Sequence, residues 1–562
     1  MSGSILPSLR PSRRRLAGVA AGTCAAALLG APPEAEACGG FFCDPQQPVL
    51  QAAERIVFVE RGDGRQTTIV QVTYTGPADR FSWVVPVPGV PDVGVASNVL
   101  FQRLEAATRP RFSLEVEDRC RPEPPALGWV DAGVGVDAGA APTAGGGVSV
   151  LASGSVGPFD FEVIRPDPGL EDPAEVAVSW LGDNGYEVGD IGPDLLRPYL
   201  AMDQNLVAFR LQKSATAGDI RPIVLTYAAE RALIPIRLTA VAALNDMGVI
   251  TWVFGPHRAV PLNYLSLEPN LARVDWFRGG ANWPEVVSEA ADAAGGQGFV
   301  TEYAGPAGVL PPILEGALEA EWQRLRAQDW SGRELELLQS VNALFNGWDG
   351  LMGAFEAHVP VPDGATLRDF LNCPWCFDVP VPALPGLDAQ PFLQTVETEV
   401  VAPVRIAESI IAEQPRLTRL YTTLSPEEMT VDPSFDFNPD LGDVDHVHRA
   451  TARRNHCDLP FRVTLEDGRQ FDAPSLSEWP VQSGPANARV LRAGLEGASE
   501  VVRDNTSDPE FGSRVGAGSG CSTPGPAGGS LVPVLLASLA ALGARRAEAR
   551  SAQRRSTGTS SR

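Results

Sequence analysis

Between residues 205 and 260 four apolar, β-branched runs follow one another with little room for helices: Asn205 to Gln212, Ile220 to Tyr227, Ile234 to Ala242 and Val249 to Phe254. Parallel neighbours need long, usually helical crossovers, so this spacing predicts antiparallel pairing. The preceding stretch has the same texture. Arg55 to Glu60 and Gln66 to Thr75 are strand-like and joined by the turn Arg61-Gly62-Asp63-Gly64. The Arg-Gly-Asp tripeptide there reads as a plain turn. Phe81 to Val87 is a further strand, Ser97 caps a short helix through Ala107, and Arg111 to Glu117 returns to strand alternation. Phe159 to Ile164 is another strand. Asp172 caps a helix from Pro173 to Leu181, Trp283 to Ala294 is helical, and Gly298 to Tyr303 is a strand.

After Gly305 the period changes. Ile313 to Ala327, Arg333 to Phe345 and Pro391 to Ile411 carry apolar residues at helical spacing, with a little β at Thr418 to Leu424 and around Asp467-Gly468. The expected class is α+β: a β-dominated, antiparallel N-terminal module over 38–305 and a mainly helical second module over 306–515. Residues 121–157 are rich in Gly, Ala, Pro and Val and read as a flexible insertion.

Both ends of the chain carry targeting patterns. Arg10, Arg13, Arg14 and Arg15 precede the apolar run Leu16 to Ala31 and the small-residue site Ala35-Glu36-Ala37, so 1–37 reads as a removable secretory signal. Ser12-Arg13-Arg14-Arg15-Leu16 also fits a twin-arginine signal, and the export route stays open. At the other end, 516–562 reads as linker plus anchor. Leu531 to Ala544 is almost wholly apolar and Arg545-Arg546 follows, so a membrane-held C-terminus with its arginines in the cytoplasm is expected. The net charge of −24 argues against nucleic acid, whose phosphates need clustered cations. The expected location is the cell envelope, on its outer surface, with the membrane as one partner and an envelope protein or glycan as another.

Export implies disulfides. Cys38, Cys43, Cys120, Cys373, Cys376 and Cys457 are the candidates, with connectivity open, and Cys521 stands apart in the tail. Cys373-Pro374-Trp375-Cys376 has the form of a dithiol redox motif, but its setting favours a structural disulfide. His446, His448 and His456 gather near Cys457 as weak metal candidates, without a standard zinc spacing. Asp432, Asp436, Asp440, Asp443 and Asp445 read as a solvated acidic loop rather than a calcium site. Trp276, Trp283, Trp322, Trp330, Trp348 and Trp375 read as core before they read as a glycan-binding face. The chain contains no nucleophile elbow, phosphate-binding glycine loop or H-E-x-x-H, and its motifs call for no cofactor.

Four segments carry a resemblance: Ala37-Cys38-Gly39-Gly40-Phe41-Phe42-Cys43, Trp83-Val84-Val85-Pro86-Val87-Pro88, Ile234 to Ala240 with Asp246-Met247-Gly248, and Thr301-Glu302-Tyr303-Ala304-Gly305-Pro306. In these the chain resembles the bacterial domain of unknown function 2330 family over most of 37–470. That resemblance implies an exported protein and no particular activity. Gly520 to Arg546 resembles the myxobacterial C-terminal sorting signal, which implies processing and anchoring at Cys521, although this chain continues to Arg562. The expected function is structural or binding at the cell surface. An exported enzyme, hydrolase or thiol-redox, is the alternative.

Overall fold

Gln51–Glu60 is apolar at successive positions because both of its faces are covered. Ile56 and Phe58 enter one core, Val57 and Val59 another on the opposite side, as successive strand residues must. Ala243–Gly255 follows the same rule: Val249 and Val253 share the first core, Ile250, Trp252 and Phe254 the second. The computed structural model describes residues 41–42, 51–71, 81–119, 148–186, 192–212, 220–241, 243–377, 379–481, 483–508 and 511.

Among these residues the strands form four sheets. The largest has ten strands, in the order β22 (Glu500–Asp504), β21 (Asn487–Arg492), β14 (Leu265–Pro269), β15 (Gly298–Pro306), β16 (Arg416–Leu424), β12 (Ala243–Gly255), β2 (Gln51–Glu60), β3 (Arg65–Gln71), β10 (Ile223–Ala228) and β5 (Asp92–Val95). A five-stranded sheet covers one side of it: β1 (Phe41–Phe42), β4 (Ser82–Val87), β9 (Asn205–Leu211), β8 (Phe159–Pro166) and β7 (Val148–Val156). Two smaller sheets comprise β11 (Ala232–Leu233), β17 (Ser434–Asn438) and β13 (Arg258–Pro261), and β20 (Gln470–Ala473), β19 (Phe461–Thr464), β18 (Val447–Arg454) and β6 (Arg111–Asp118).

The fold is α+β, as the spacing predicts. Antiparallel pairing dominates, but β2–β12, β14–β15 and β6–β18 are parallel. All three joins link strands far enough apart in sequence, or separated by a helix, to permit a crossover. Two local expectations change. Ile234 to Ala242 is not one strand, since Ile236–Thr239 makes a helical turn directly after Pro235, which has no N–H to give a ladder. Val148 to Val156 pairs with β8 along its length, so strand structure begins inside the stretch read as a flexible insertion, whose residues 121–147 lie outside the described residues.

The caps hold. Ser97 Oγ accepts the Val99 N–H at 3.3 Å at the head of Asn98–Thr108. Asp172 Oδ1 accepts from Ala174 and Glu175 N–H at 3.1 and 3.3 Å, and Pro173 begins the helix Pro173–Asp183. Further helices, Gly316–Ala327, Glu334–Phe345, Leu351–His358 and Ala389–Val396, bury Trp322, Phe345, Phe355 and Phe392 in a core of their own, while Ala402–Ile411 packs Ala407, Ile410 and Ile411 against the large sheet. A π-helical turn, Glu397–Val401, interrupts the helix expected over Pro391 to Ile411. Two residues after it comes Pro403, which cannot donate within a regular turn. The chain then re-enters the large sheet as β16, between β12 and β15.

Besides the packing of Ala402–Ile411, a polar seam ties the helices to the sheet. Asp349 accepts from Ser97 Oγ at 2.7 Å and Asn98 Nδ2 at 3.0 Å. Buried Arg221 donates to the Glu399 carbonyl at 2.8 Å. Gly350, with φ 77°, sits against both, and an added Cβ would lie 2.6 Å from the Glu399 carbonyl oxygen. Gly350→Ala is therefore expected to cost about 2 kcal/mol, from left-handed backbone and overpacking together. Urea unfolding of the variant checks this, and an unchanged midpoint would contradict the tight seam.

Candidate functional site

Two of the segments that carry the family resemblance, Trp83 to Pro88 and Ile234 to Ala240, meet at the junction of the two larger sheets. β2 places Glu54 on the same face as Ile56 and Phe58, and β4 brings Trp83, Val85 and Val87 opposite. The turn at Pro235 carries Thr239 inward. Together with Thr68 and Tyr227 these residues line a cavity of about 40 Å³, room for a few waters at most. Glu54 is buried and its Oε2 accepts from Thr239 Oγ1 at 3.3 Å. Burial pushes its carboxyl up to about 7, with the nearby Asp432 adding to the rise and Thr239 opposing it. Asp432 accepts in turn from Tyr199 Oη at 3.0 Å and the Arg237 N–H at 3.1 Å. Burial raises its carboxyl as well. Glu54 thus titrates near neutrality inside walls that admit no substrate.

A second acid lies under an open cleft of about 850 Å³. The cleft runs over the face of β14, β15 and β21. Its floor is Glu302, only 2% exposed. Glu302 Oε1 accepts from Trp283 Nε1 at 2.5 Å, and Oε2 accepts from Arg419 Nε. Arg419 Nη1 also donates to Glu105 at 2.8 Å, and its guanidinium lies 5.2 Å from the Trp252 ring centre. Burial pushes the Glu302 carboxyl up, against the opposing pull of Arg419 and Trp283. Above this floor most charged groups are paired, Arg258 excepted, whose Nε has no hydrogen-bond partner among the described residues. Glu268 and Arg489 stand opposite each other on β14 and β21, 3.3 Å apart, and Arg489 Nε reaches Asp504 at 3.2 Å. Arg469 Nε donates to Asp467 at 2.7 Å while its guanidinium covers the Phe511 ring at 4.0 Å. Asp443 pairs with Arg416.

The residues singled out from sequence distribute as follows. Cys373 and Cys376 form a disulfide at the end of the short helix Leu367–Asn372. The carbonyl end of a helix disfavours a thiolate, so the setting opposes exchange chemistry. Cys457 is disulfide-bonded, its partner lying outside the described residues. Cys38, Cys43, Cys120 and Cys521 also lie outside them, as does Leu531 to Ala544. The β6–β18 register pairs Asp118 with Arg454, and two and three residues further on come Cys120 and Cys457. Peptide mapping without reduction is expected to recover Cys120 joined to Cys457; recovery of Cys457 with Cys38 or Cys43 would refute that pairing.

His446 is buried with Nε2 2.9 Å from Arg111 Nη2, and burial and that cation lower its pKa. His448 stacks on Phe112 at 4.9 Å and directs Nδ1 at Glu466, 2.8 Å away. His456 is exposed. Among the described residues no three His, Cys, Asp or Glu side chains are grouped to hold a metal ion. Asp436 pairs with Arg231, Asp440 accepts the Gly497 N–H, and Asp445 accepts that of Val447. Trp276, Trp283, Trp322 and Trp330 are buried, Trp348 is half-buried, and Trp375 is 66% exposed. Among the described residues no helix is long and apolar enough to cross a membrane.

Residues 32–307 match the model of a family described as "Uncharacterized protein conserved in bacteria (DUF2330)". Over this stretch the chain is similar to that family. The DUF2330 match stops short of the residue 470 expected from the motifs. It takes in Glu54, Glu105, Thr239, Trp283 and Glu302, but not Arg419. No curated protein and no solved structure matches the chain. Neither acid was singled out from sequence as a site residue. The available signal was a carboxylate in register with the apolar positions of a strand, Glu54 with Ile56 and Phe58, and Glu302 as the one acid of Gly298–Pro306.

Proposed function

We propose that this protein is exported, held at the cell envelope through its C-terminal segment, and acts there by binding a ligand in the cleft above Glu302. One observation carries the binding reading: most charged groups of the open cleft are already matched, Glu268 with Arg489 and Arg469 with Asp467. Catalysis calls for a base or nucleophile held ready for substrate. The carboxyl that titrates near neutrality, Glu54, is instead sealed in a cavity of about 40 Å³. Recognition needs only fixed, complementary groups on a rigid floor, and a cleft of about 850 Å³ falls within the usual range for ligand sites. The charged n-region, the Ala35-Glu36-Ala37 site and the disulfides at Cys373–Cys376 and Cys457 support export to an oxidising compartment.

A photocrosslinking residue at Ser266, in the cleft, should capture a component of the intact envelope, while one at exposed Val90 should not. Equal capture at both positions would count against the cleft. For anchoring, the wild type is expected in the envelope fraction and a chain ended at Arg514 in the soluble fraction. Cys521→Ala separates two routes: it stays membrane-bound at unchanged mass if the apolar segment alone holds the protein, and fails to mature if Cys521 is a sorting site. Uncleaved full-length wild type in the medium would defeat both.

A further inference from the structure

Resting on the reading of the cleft as a binding site, we propose that its ligand is a neutral oligosaccharide. The argument starts from charge. Among the lining residues Arg489 pairs with Glu268 and Arg469 with Asp467, while Asp443 is matched by Arg416 and the floor acid Glu302 by Arg419. Of the charged lining residues Arg258 has no ion pair among the described residues, and its Nη groups donate to the Gly442 carbonyl and Thr301 Oγ1, so the charges of the cleft are largely neutralised from within. A charged ligand would have to break pairs already made.

Pairing does not exhaust these groups. A carboxylate has about four acceptor positions and a guanidinium five N–H donors. Arg489 uses Nε and Nη1, and Glu268 uses one oxygen toward it. What remains is a surface of donors and acceptors close together with its charges largely neutralised. A hydroxyl, donor and acceptor at once, satisfies both kinds, and a sugar carries several on a rigid ring. His448, stacked on Phe112, and the planar Arg469 guanidinium, lying over Phe511, add flat surfaces for the ring's C–H faces.

The strand order argues against an extended peptide. Peptides dock on sheets by pairing with a free edge. In the cleft β14 lies between β21 and β15, β15 between β14 and β16, and β21 between β22 and β14. Both edges of these three floor strands are occupied, and β22 is the end of the sheet, so on the cleft floor recognition falls to side chains standing on the sheet face.

The test is titration calorimetry on the full-length protein in a detergent without a sugar headgroup. The neutral probes are maltohexaose, cellohexaose and chitohexaose. A hyaluronan hexasaccharide supplies an anionic sugar, and a pool of mixed-sequence decapeptides supplies the peptide class. At least one neutral hexamer is expected to bind, and Glu268→Ala and Arg489→Ala are each expected to weaken it ten-fold or more with unchanged melting temperature. Binding by none of the neutral hexamers overturns the proposal, as does binding that both variants leave untouched. Cleft-dependent binding of the anionic sugar or peptides alone overturns the ligand class and keeps the cleft. Failure of every probe, with no capture from Ser266, removes the binding reading itself.

Discussion

Replacing Arg419 by Met is expected to destabilise the protein by about 3–5 kcal/mol near neutral pH, because it leaves a buried carboxylate without its counter-charge. Glu302 is 2% exposed and would keep only the Trp283 N–H. The deficit should have a characteristic pH dependence. Loss of Arg419 raises the folded-state pKa of Glu302 further above its unfolded value. A raised acid contributes stability that is present below the unfolded pKa and lost as pH rises. The variant should therefore recover as pH falls toward the ordinary carboxylate range. Adding Glu302→Gln should recover most of the loss at all pH values, since a neutral amide needs no cation. Urea denaturation of the single and double variants at two pH values measures this. A single-variant loss under 1 kcal/mol, or one that Glu302→Gln does not relieve, would mean the pair is not the buried unit described.

Glu54→Gln is expected to do the opposite and stabilise the protein at alkaline pH. The folded carboxyl titrates at about 7 rather than its ordinary 4.5. Between those values the folded state holds a proton that the unfolded chain has released. The folded state's advantage is thus complete below 4.5 and fades as pH rises through 7. The difference is worth about 3 kcal/mol, and the wild type forfeits it above neutrality while the Gln variant has nothing to ionise. Unfolding midpoints measured from pH 4.5 to 8.5 should converge at the acid end and separate steadily toward the alkaline end. A constant offset between the two proteins, with no slope, would show that Glu54 is not ionising in the core.

Much of the secondary structure was legible because local rules dominated it. Ser97 and Asp172 are good caps in sequence and cap in fact, and the apolar runs at 55–60, 81–87 and 205–212 are strands because their neighbours cover both faces. What local rules do not carry is partnership across distance. The parallel join of β6 to β18 brings Asp118 against Arg454, 336 residues later. Glu302 meets Arg419 across 117 residues, and Glu54 meets Thr239 across 185. An acid in an apolar strand reads the same whether it is satisfied by a cation, by a hydroxyl or by nothing. The cleft is harder still, since it exists only once β14, β15 and β21 are assembled. The histidines at 446, 448 and 456 were grouped by sequence spacing alone. The strand Val447–Arg454 begins between the first two and a turn follows it, and the three meet different surroundings: beside Arg111, onto Phe112 and into solvent.

The seam where Pro306 pairs with Arg416 has a wider consequence. The chain leaves the large sheet at one point, builds a layer of helices, and rejoins the same sheet on the adjacent strand. The DUF2330 match ends at 307, where that excursion begins, while β16, past its far end, fills a central place in the sheet. The end of the match therefore marks a doorway and not the wall of a domain. A segment whose two ends are already bonded to each other behaves like a long hairpin loop. Changing its length alters closure entropy only logarithmically, and the strand register on either side is untouched. Such a position tolerates growth, shrinkage or replacement of its contents, provided the doorposts stay paired, the sheet face stays covered, as Ala407, Ile410 and Ile411 cover it here, and whatever fills the gap supplies its own core, as Trp322, Phe345 and Phe392 do.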